Sequence, residues 1–196
     1  MASVFDQILL KGVRSGQMPA RTREARNWFR GVAADVSSGR VNSKRMLGET
    51  TRLTDAPSIG HMYHFQYDPK HKQTLPYYDR FPLIFMVGPA ANGFYGLNLH
   101  YLPPVLRAKL MDQLYTLSTN RKYDESTRIA LSYSLLSKAG RFKYFKPTFK
   151  HYLSIHVQSR FIHIAPTEWD IALMLPTQRF AKANKGRVWA DSEARI

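Results

Sequence analysis

The chain has no cysteine, few acidic residues and no long apolar run. Without cysteine there is no disulfide scaffold, no Cys-ligated zinc, no iron–sulfur cluster and no thiol nucleophile. Asp and Glu together number only 14 in 196 residues, and they are scattered. No local pattern therefore supplies the paired carboxylates of acid–base or two-metal catalysis. The longest apolar stretches fall far short of the roughly 18 residues that mark a membrane span. The opening Met1-Ala2-Ser3-Val4-Phe5-Asp6 has no basic region followed by an apolar core, so no secretory signal is expected. Also missing are a Gly-x-Ser-x-Gly elbow, a phosphate-binding Gly-x4-Gly-Lys-Ser/Thr loop, a dinucleotide fingerprint and a His-Glu-x-x-His pair. His61 and His64 have a two-histidine spacing, but on a strand their rings point to opposite faces. Nothing positive indicates an enzyme, and no cofactor or metal site is expected.

What the chain does have is positive charge. Its 29 Lys and Arg leave a net charge of +15 and a sequence pI near 10.2. Such a balance favours nucleic acid, an anionic membrane surface or an acidic protein as partner. The charge is uneven: residues 1–60 hold 10 bases and 5 acids, 61–103 hold 3 and 2, and 104–196 hold 16 and 7. Between Glu125 and Glu168 there is no acid, while the interval carries seven of the 29 Lys and Arg. At 44% hydrophobic and 13% aromatic, the chain can still bury a core.

The pattern along the chain divides it into residues 1–60, a helix followed by an arm; 61–180, a core; and 181–196, a polar tail. Within the first part, Arg21–Val36 is predicted helical, with Trp28, Phe29, Val32 and Val36 on one side. Residues 37–60 read either as an extended arm or as an ordered loop crossing the core surface. In the core, 61–103 reads as sheet: an alternating strand at 61–67 with Tyr63, Phe65 and Tyr67 on one face, a strand at 83–87, a turn at Gly88–Gly93 and a strand at 94–101. Residues 104–180 read as mostly helical: 105–117 behind Pro103-Pro104, 126–138 up to a cap at Gly140, and 146–156 after Pro147. A strand at 160–164 and a helix opened by Thr167-Glu-Trp-Asp170 and stopped before Pro176 complete it. The expected fold is α+β: a small antiparallel SH3-like sheet or barrel flanked by several helices, with extended N- and C-terminal arms.

Candidate binding residues follow from the interleaving of cations and rings in the acid-free interval. Lys138, Arg141, Lys143, Lys146 and Lys150 alternate with Phe142, Tyr144, Phe149 and Tyr152. Cations neutralise phosphates and release counterions, and exposed rings can stack on unpaired bases. The same alternation is what a half-buried strand produces, with rings inward and charges solvated. Arg23, Arg26 and Arg30 on the first helix form a second cationic set. Tyr77, Tyr78 and Arg80 are candidates for a protein partner, since Tyr and Arg are enriched in binding hot spots. Buried, they would line the core, with Arg80 tied to an acid.

Two long strings carry a resemblance. Met62-Tyr-His-Phe-Gln-Tyr-Asp-Pro-Lys-His-Lys-Gln-Thr-Leu-Pro-Tyr-Tyr-Asp-Arg-Phe-Pro-Leu83 is one. Gly93-Phe-Tyr-Gly-Leu-Asn-Leu-His-Tyr-Leu-Pro-Pro104, followed by Arg107-Ala-Lys-Leu-Met-Asp112, is the other. Together they resemble small structural proteins of T4-type tailed phages, most of all the DNA end protector family. The likeness covers about residues 60–170. It implies a virion protein, present in the host cytoplasm during assembly, that binds the ends of packaged linear duplex DNA and shields them from exonuclease. Other phage structural proteins are then expected partners, within an oligomeric assembly and without a membrane. A component of the baseplate, neck or tail held by protein contacts is the alternative, and a nuclease is a third and weaker one.

Overall fold

A computed structural model describes residues 3–19, 22–41, 43–117 and 143–196. The expected helix at 126–138, together with Lys138 and Arg141, lies outside the described residues. Helix α1, Val4–Arg14, starts on a capping box: the Ser3 hydroxyl accepts from the Asp6 amide at 3.1 Å, and the Asp6 carboxylate accepts from the Ser3 amide at 3.0 Å. Its Phe5 and Ile8 are buried, and Gly12 lets α2, Arg23–Ala34, pack closely, because a Cβ there would run into the Phe29 ring. Thr22 caps α2, and Ala25, Phe29 and Ala33 face inward from it. Helix α3 is the single turn Ser43–Met46, and α4 runs Pro104–Leu117, burying Leu110, Met111 and Leu114.

The sheet has six antiparallel strands among the described residues: β1 Leu53–Thr54, β2 Met62–His64, β4 Leu83–Ala90, β5 Gly93–Asn98, β6 Phe149–Leu153 and β7 Phe161–Ile164. Their order across the sheet is β1-β7-β2-β4-β5-β6. A two-stranded ribbon, β3 Tyr78–Asp79 with β8 Phe180–Ala181, stands apart from it. Side chains alternate through the pleat and give each face its own core. Met62, Leu83, Phe85, Ile162 and Ile164 meet the helices around Trp169. On the other face Tyr63, Phe65, Tyr67, Phe94, Tyr152 and Phe161 form an aromatic cluster. The three alternating rings expected on one side of 61–67 therefore lie together.

The fold is α+β, as expected, but the sheet is open rather than a closed SH3-like barrel. Several local expectations are corrected by tertiary contacts. The second strand runs on through Gly88-Pro89 to Ala90, after a register shift between Met86 and Gly88, and the chain reverses at Ala91-Asn92. Asn92 takes the left-handed conformation (φ 59°) that the tight turn requires. The predicted helix at 146–156 is one turn, α5 Phe145–Thr148, followed by β6, because Gly93 lets a strand lie against β5. A Cβ at Gly93 would collide with the Tyr152 carbonyl oxygen. Sheet is thus not confined to 61–103.

The segment 37–60 is an ordered crossing rather than an arm, carrying α3, a 3₁₀ turn at Thr50–Arg52 and β1. Helix α6 is Trp169–Met174, and it is Glu168, not Asp170, that reaches back, accepting from the Ala165 amide at 3.1 Å. The expected C-terminal arm is a docked helix, α7 Lys185–Glu193, with Val188 fully buried.

Candidate nucleic-acid interface

A chain of buried polar groups supports one end of the sheet. Asp79, at the end of β3, accepts from the His100 Nδ1–H at 2.7 Å, from the Phe81 amide at 3.1 Å and from the Asn98 amide nitrogen at 3.3 Å. Asn98 also donates to the Tyr152 hydroxyl at 3.0 Å, and the Thr177 hydroxyl bonds His100 Nε2 at 2.8 Å. Burial alone would raise the Asp79 pKa, but these donors outweigh it and hold the carboxyl below its ordinary range. Burial likewise keeps His100 neutral, so it donates from Nδ1 and accepts at Nε2. The Asp–His–Thr order has the connectivity of a nucleophilic triad. Its three side chains are closed to solvent, so here it is a brace. The Trp189 indole donates to the His100 carbonyl at 2.9 Å and fixes α7 beside this brace.

Above the brace is a cavity of about 570 Å³ between β6, the 69–78 connection and the end of the chain. Asp79, Asn98 and Tyr152 belong to its lining, with Tyr67, Tyr77, Tyr78 and Tyr101 as ring walls. Lys150, Arg195 and Lys70 supply its charge. Lys150 Nζ stands over the Tyr101 ring, 4.1 Å from its centroid. Burial, and then the nearby Arg195 charge, push its pKa down to about 8.

Asp79, Glu168 and Asp170 are buried, and several other acids are tied to basic side chains. Asp6, Glu49 and Glu168 surround Arg52, while Asp112 and Asp170 hold Arg30. Asp55 pairs with Arg160, and Asp68 with Lys72. Among the described residues Arg23, Lys143, Lys146, Lys150 and Arg195 have no carboxylate in ion-pair contact. With 29 bases against 14 acids, and part of that small stock of carboxylates held by Arg30 and Arg52, these cations are left unpaired among the described residues.

The two cationic sets expected from sequence are thereby sorted. Lys143 and Lys146 are exposed on either side of the buried Tyr144, and Lys150 lines the cavity. Arg23 is exposed at the start of α2. Arg30 is buried, its Nε donating to Asp170 at 2.7 Å and its other two nitrogens to Asp112 at 3.1 and 2.8 Å, so it ties α2 to α4 and α6. Arg26 lies 3.9 Å from the same Asp112 and 4.6 Å from the Tyr115 ring centroid. These two arginines are spent on packing. Tyr77 is buried, Tyr78 half-buried and Arg80 exposed, with no acid paired to Arg80 among the described residues.

The family model of the phage T4 terminal DNA protecting protein matches residues 5–193. The chain belongs to the phage T4 terminal DNA protecting protein family. Comparison with curated proteins and with solved structures returns no match. The match takes in the 182–193 stretch that charge and polarity alone would assign to a tail.

Among the cavity residues that the sequence does not single out are Lys70, Tyr101 and Arg195. Arg195 was hidden because a polar C-terminal stretch looks the same whether it is solvated or docked. The local signals of a helix there are the Asn184 cap and the apolar Val188 and Trp189. Among the described residues no group of three or more His, Asp or Glu is placed to hold a metal ion, and no helix is long and apolar enough to cross a membrane.

Proposed function

We propose that this protein binds the ends of packaged linear duplex DNA without reading base sequence and without catalysis, and that it works by occupying the end. Family membership over nearly the whole chain carries this reading. The charge arrangement supports it: carboxylates neutralise inner arginines, while Arg23, Lys143, Lys146 and Lys150 face outward or into the cavity without a counterion. Phosphate contacts of this kind need no base-edge readout. Lys138 and Arg141 stay in the set on sequence grounds. The protein's place is the virion, beside the DNA terminus.

The experiment is binding to a linear duplex and to a covalently closed circle of the same sequence across a salt series. Expected are tighter binding to the linear form and a steep fall of affinity with salt. Exchanging Lys143→Glu together with Lys146→Glu, both exposed, weakens binding and flattens the salt slope. Equal affinity for circle and linear DNA rejects end binding.

A second reading, a component of the baseplate, neck or tail, is favoured by one observation. Helix α1 turns Leu10 and Val13 outward, 52% and 65% exposed, as an apolar pair available to a protein neighbour. Such a component would be found at fixed copy number in purified tails that lack DNA.

A further inference from the structure

Lys150 and Arg195 both line the cavity beside β6, and among the described residues neither has a carboxylate in ion-pair contact. Lys150 stands over the Tyr101 ring, Arg195 lies close enough to bear on its charge, and Lys70 is at the rim. The one carboxylate in the lining, Asp79, keeps its charge, but its side chain is only 1% exposed and is engaged within the brace by His100, Asn98 and the Phe81 amide. Like charges brought together in a partly dehydrated recess destabilise each other. Burial first, and then the Arg195 charge, depress the Lys150 pKa. A bound anion relieves the repulsion, since its attraction to both cations offsets the cost of taking the charges out of water.

We propose that this cavity takes the phosphorylated terminal nucleotide of a DNA strand, with its phosphate monoester on Lys150 and Arg195 and its sugar and base against the tyrosine rings. The proposal rests on the reading that the protein binds DNA ends, and it names the part of the end that is gripped. Three features select this ligand. A terminal monoester carries about −1.5 to −2 charges at neutral pH, matching two cations, whereas an internal diester carries one. The recess, about 570 Å³, lies within the size range of small-ligand sites. A continuous duplex presents its phosphates on a convex cylinder, so only a chain end can enter a recess. The half-buried ring of Tyr78 in the wall suits a terminal base, because stacking is indifferent to base identity.

The brace underneath gives the site its rigidity. Tyr152, adjacent to Asn98 and Asp79, forms the floor, and its hydroxyl is held by Asn98. Helix α7 is held on the brace by Trp189, which places Arg195 at the cavity mouth.

The test compares short blunt duplexes carrying terminal phosphates or terminal hydroxyls, a closed circle, and free dAMP as competitor, on the wild type and on a Lys150→Gln, Arg195→Gln double variant. Phosphorylated ends are expected to bind about tenfold tighter than hydroxyl ends, the scale of one charge-assisted contact. In the double variant that ratio falls to near one, while its melting temperature shows that it remains folded. Should the variant not fold, the wild-type ratio decides. A wild-type ratio of one, with linear DNA still preferred over the circle, overturns the phosphate pocket and leaves end binding standing. A ratio kept by the folded double variant places the phosphate elsewhere and also overturns it. Binding of dAMP without any end-phosphate effect assigns the cavity to a free nucleotide instead and rejects the proposal. Loss of the preference for linear DNA over the circle is the separate failure of the end-binding reading.

Discussion

Asp79 and His100 form a hydrogen bond of 2.7 Å with neither side chain open to solvent. The pair is the centre of the brace, since it joins the β3–β8 ribbon to the end of β5 and, through Thr177, to the loop after α6. Removing one member of such a network leaves the others buried without partners.

Asp79→Ala is expected to destabilise the protein by about 3 kcal/mol or more, because the buried donors of His100, Asn98 and Phe81 lose their acceptor, at about 1–3 kcal/mol for each group left unsatisfied. For a chain of this length that lowers the melting temperature by roughly 6–12 °C. Thermal unfolding checks it. A shift of a degree or two would mean that the brace is not a structural centre.

Arg30→Met removes the tether between α2, α4 and α6 and leaves Asp170 buried alone. Burial already raises the Asp170 pKa against the pull of Arg30. The expected loss is about 3–5 kcal/mol, largely recovered when Asp170→Leu is added, because the uncompensated charge is then gone. DNA affinity measured well below the melting temperature should change little. Lys143→Glu with Lys146→Glu should show the opposite pattern, with stability nearly unchanged and affinity reduced. Denaturant melts and DNA titrations on the same samples separate the two.

His64 makes stability sensitive to acid. Burial first, and then the His100 ring 6.0 Å away, push its pKa from 6.5 down to about 3. The unfolded chain therefore binds a proton near pH 6.5 that the folded chain refuses until about pH 3, so stability is full above 6.5 and falls as the pH drops. Between pH 7 and pH 5 the loss from this residue is about 2 kcal/mol. His64→Leu should make the urea midpoint less dependent on pH over that interval. An unchanged dependence would assign the acid sensitivity to other groups.

The legible parts of the fold were those decided by local pattern. Tyr63, Phe65 and Tyr67 share a face because a strand alternates, and Leu110, Met111 and Leu114 are buried because their spacing is helical. What stayed hidden was set by distant partners. Residues 149–153 look helical after Pro147 until Gly93 makes room for them beside β5. Arg30 looks like any cation on a helix until Asp112 and Asp170, far along the chain, close on it. The cavity was half visible. Lys150 stood in a basic-aromatic run, but Arg195 joins it only because α7 docks on the His100 carbonyl through Trp189.

Gly93→Ala tests how closely β6 must lie on β5. A Cβ there meets the Tyr152 carbonyl oxygen, which is backbone and cannot turn aside. The substitution should destabilise the protein by about 1–3 kcal/mol, the usual range for overpacking, and displace Lys150 from the cavity. Both effects are readable, one in denaturant melts and the other as a weakened preference for phosphorylated ends. A neutral substitution would mean that the two strands separate more easily than their register implies.

The most direct measurement is exonuclease protection of linear duplex DNA by the purified protein at near-physiological salt, with binding to a closed circle as control. The expected result is protection of the linear DNA that saturates at a fixed number of protein molecules per end and does not depend on DNA length, with weak binding to the circle. Protection that rises in proportion to DNA length, with equal binding to the circle, would show a general coating of DNA and contradict recognition of its ends.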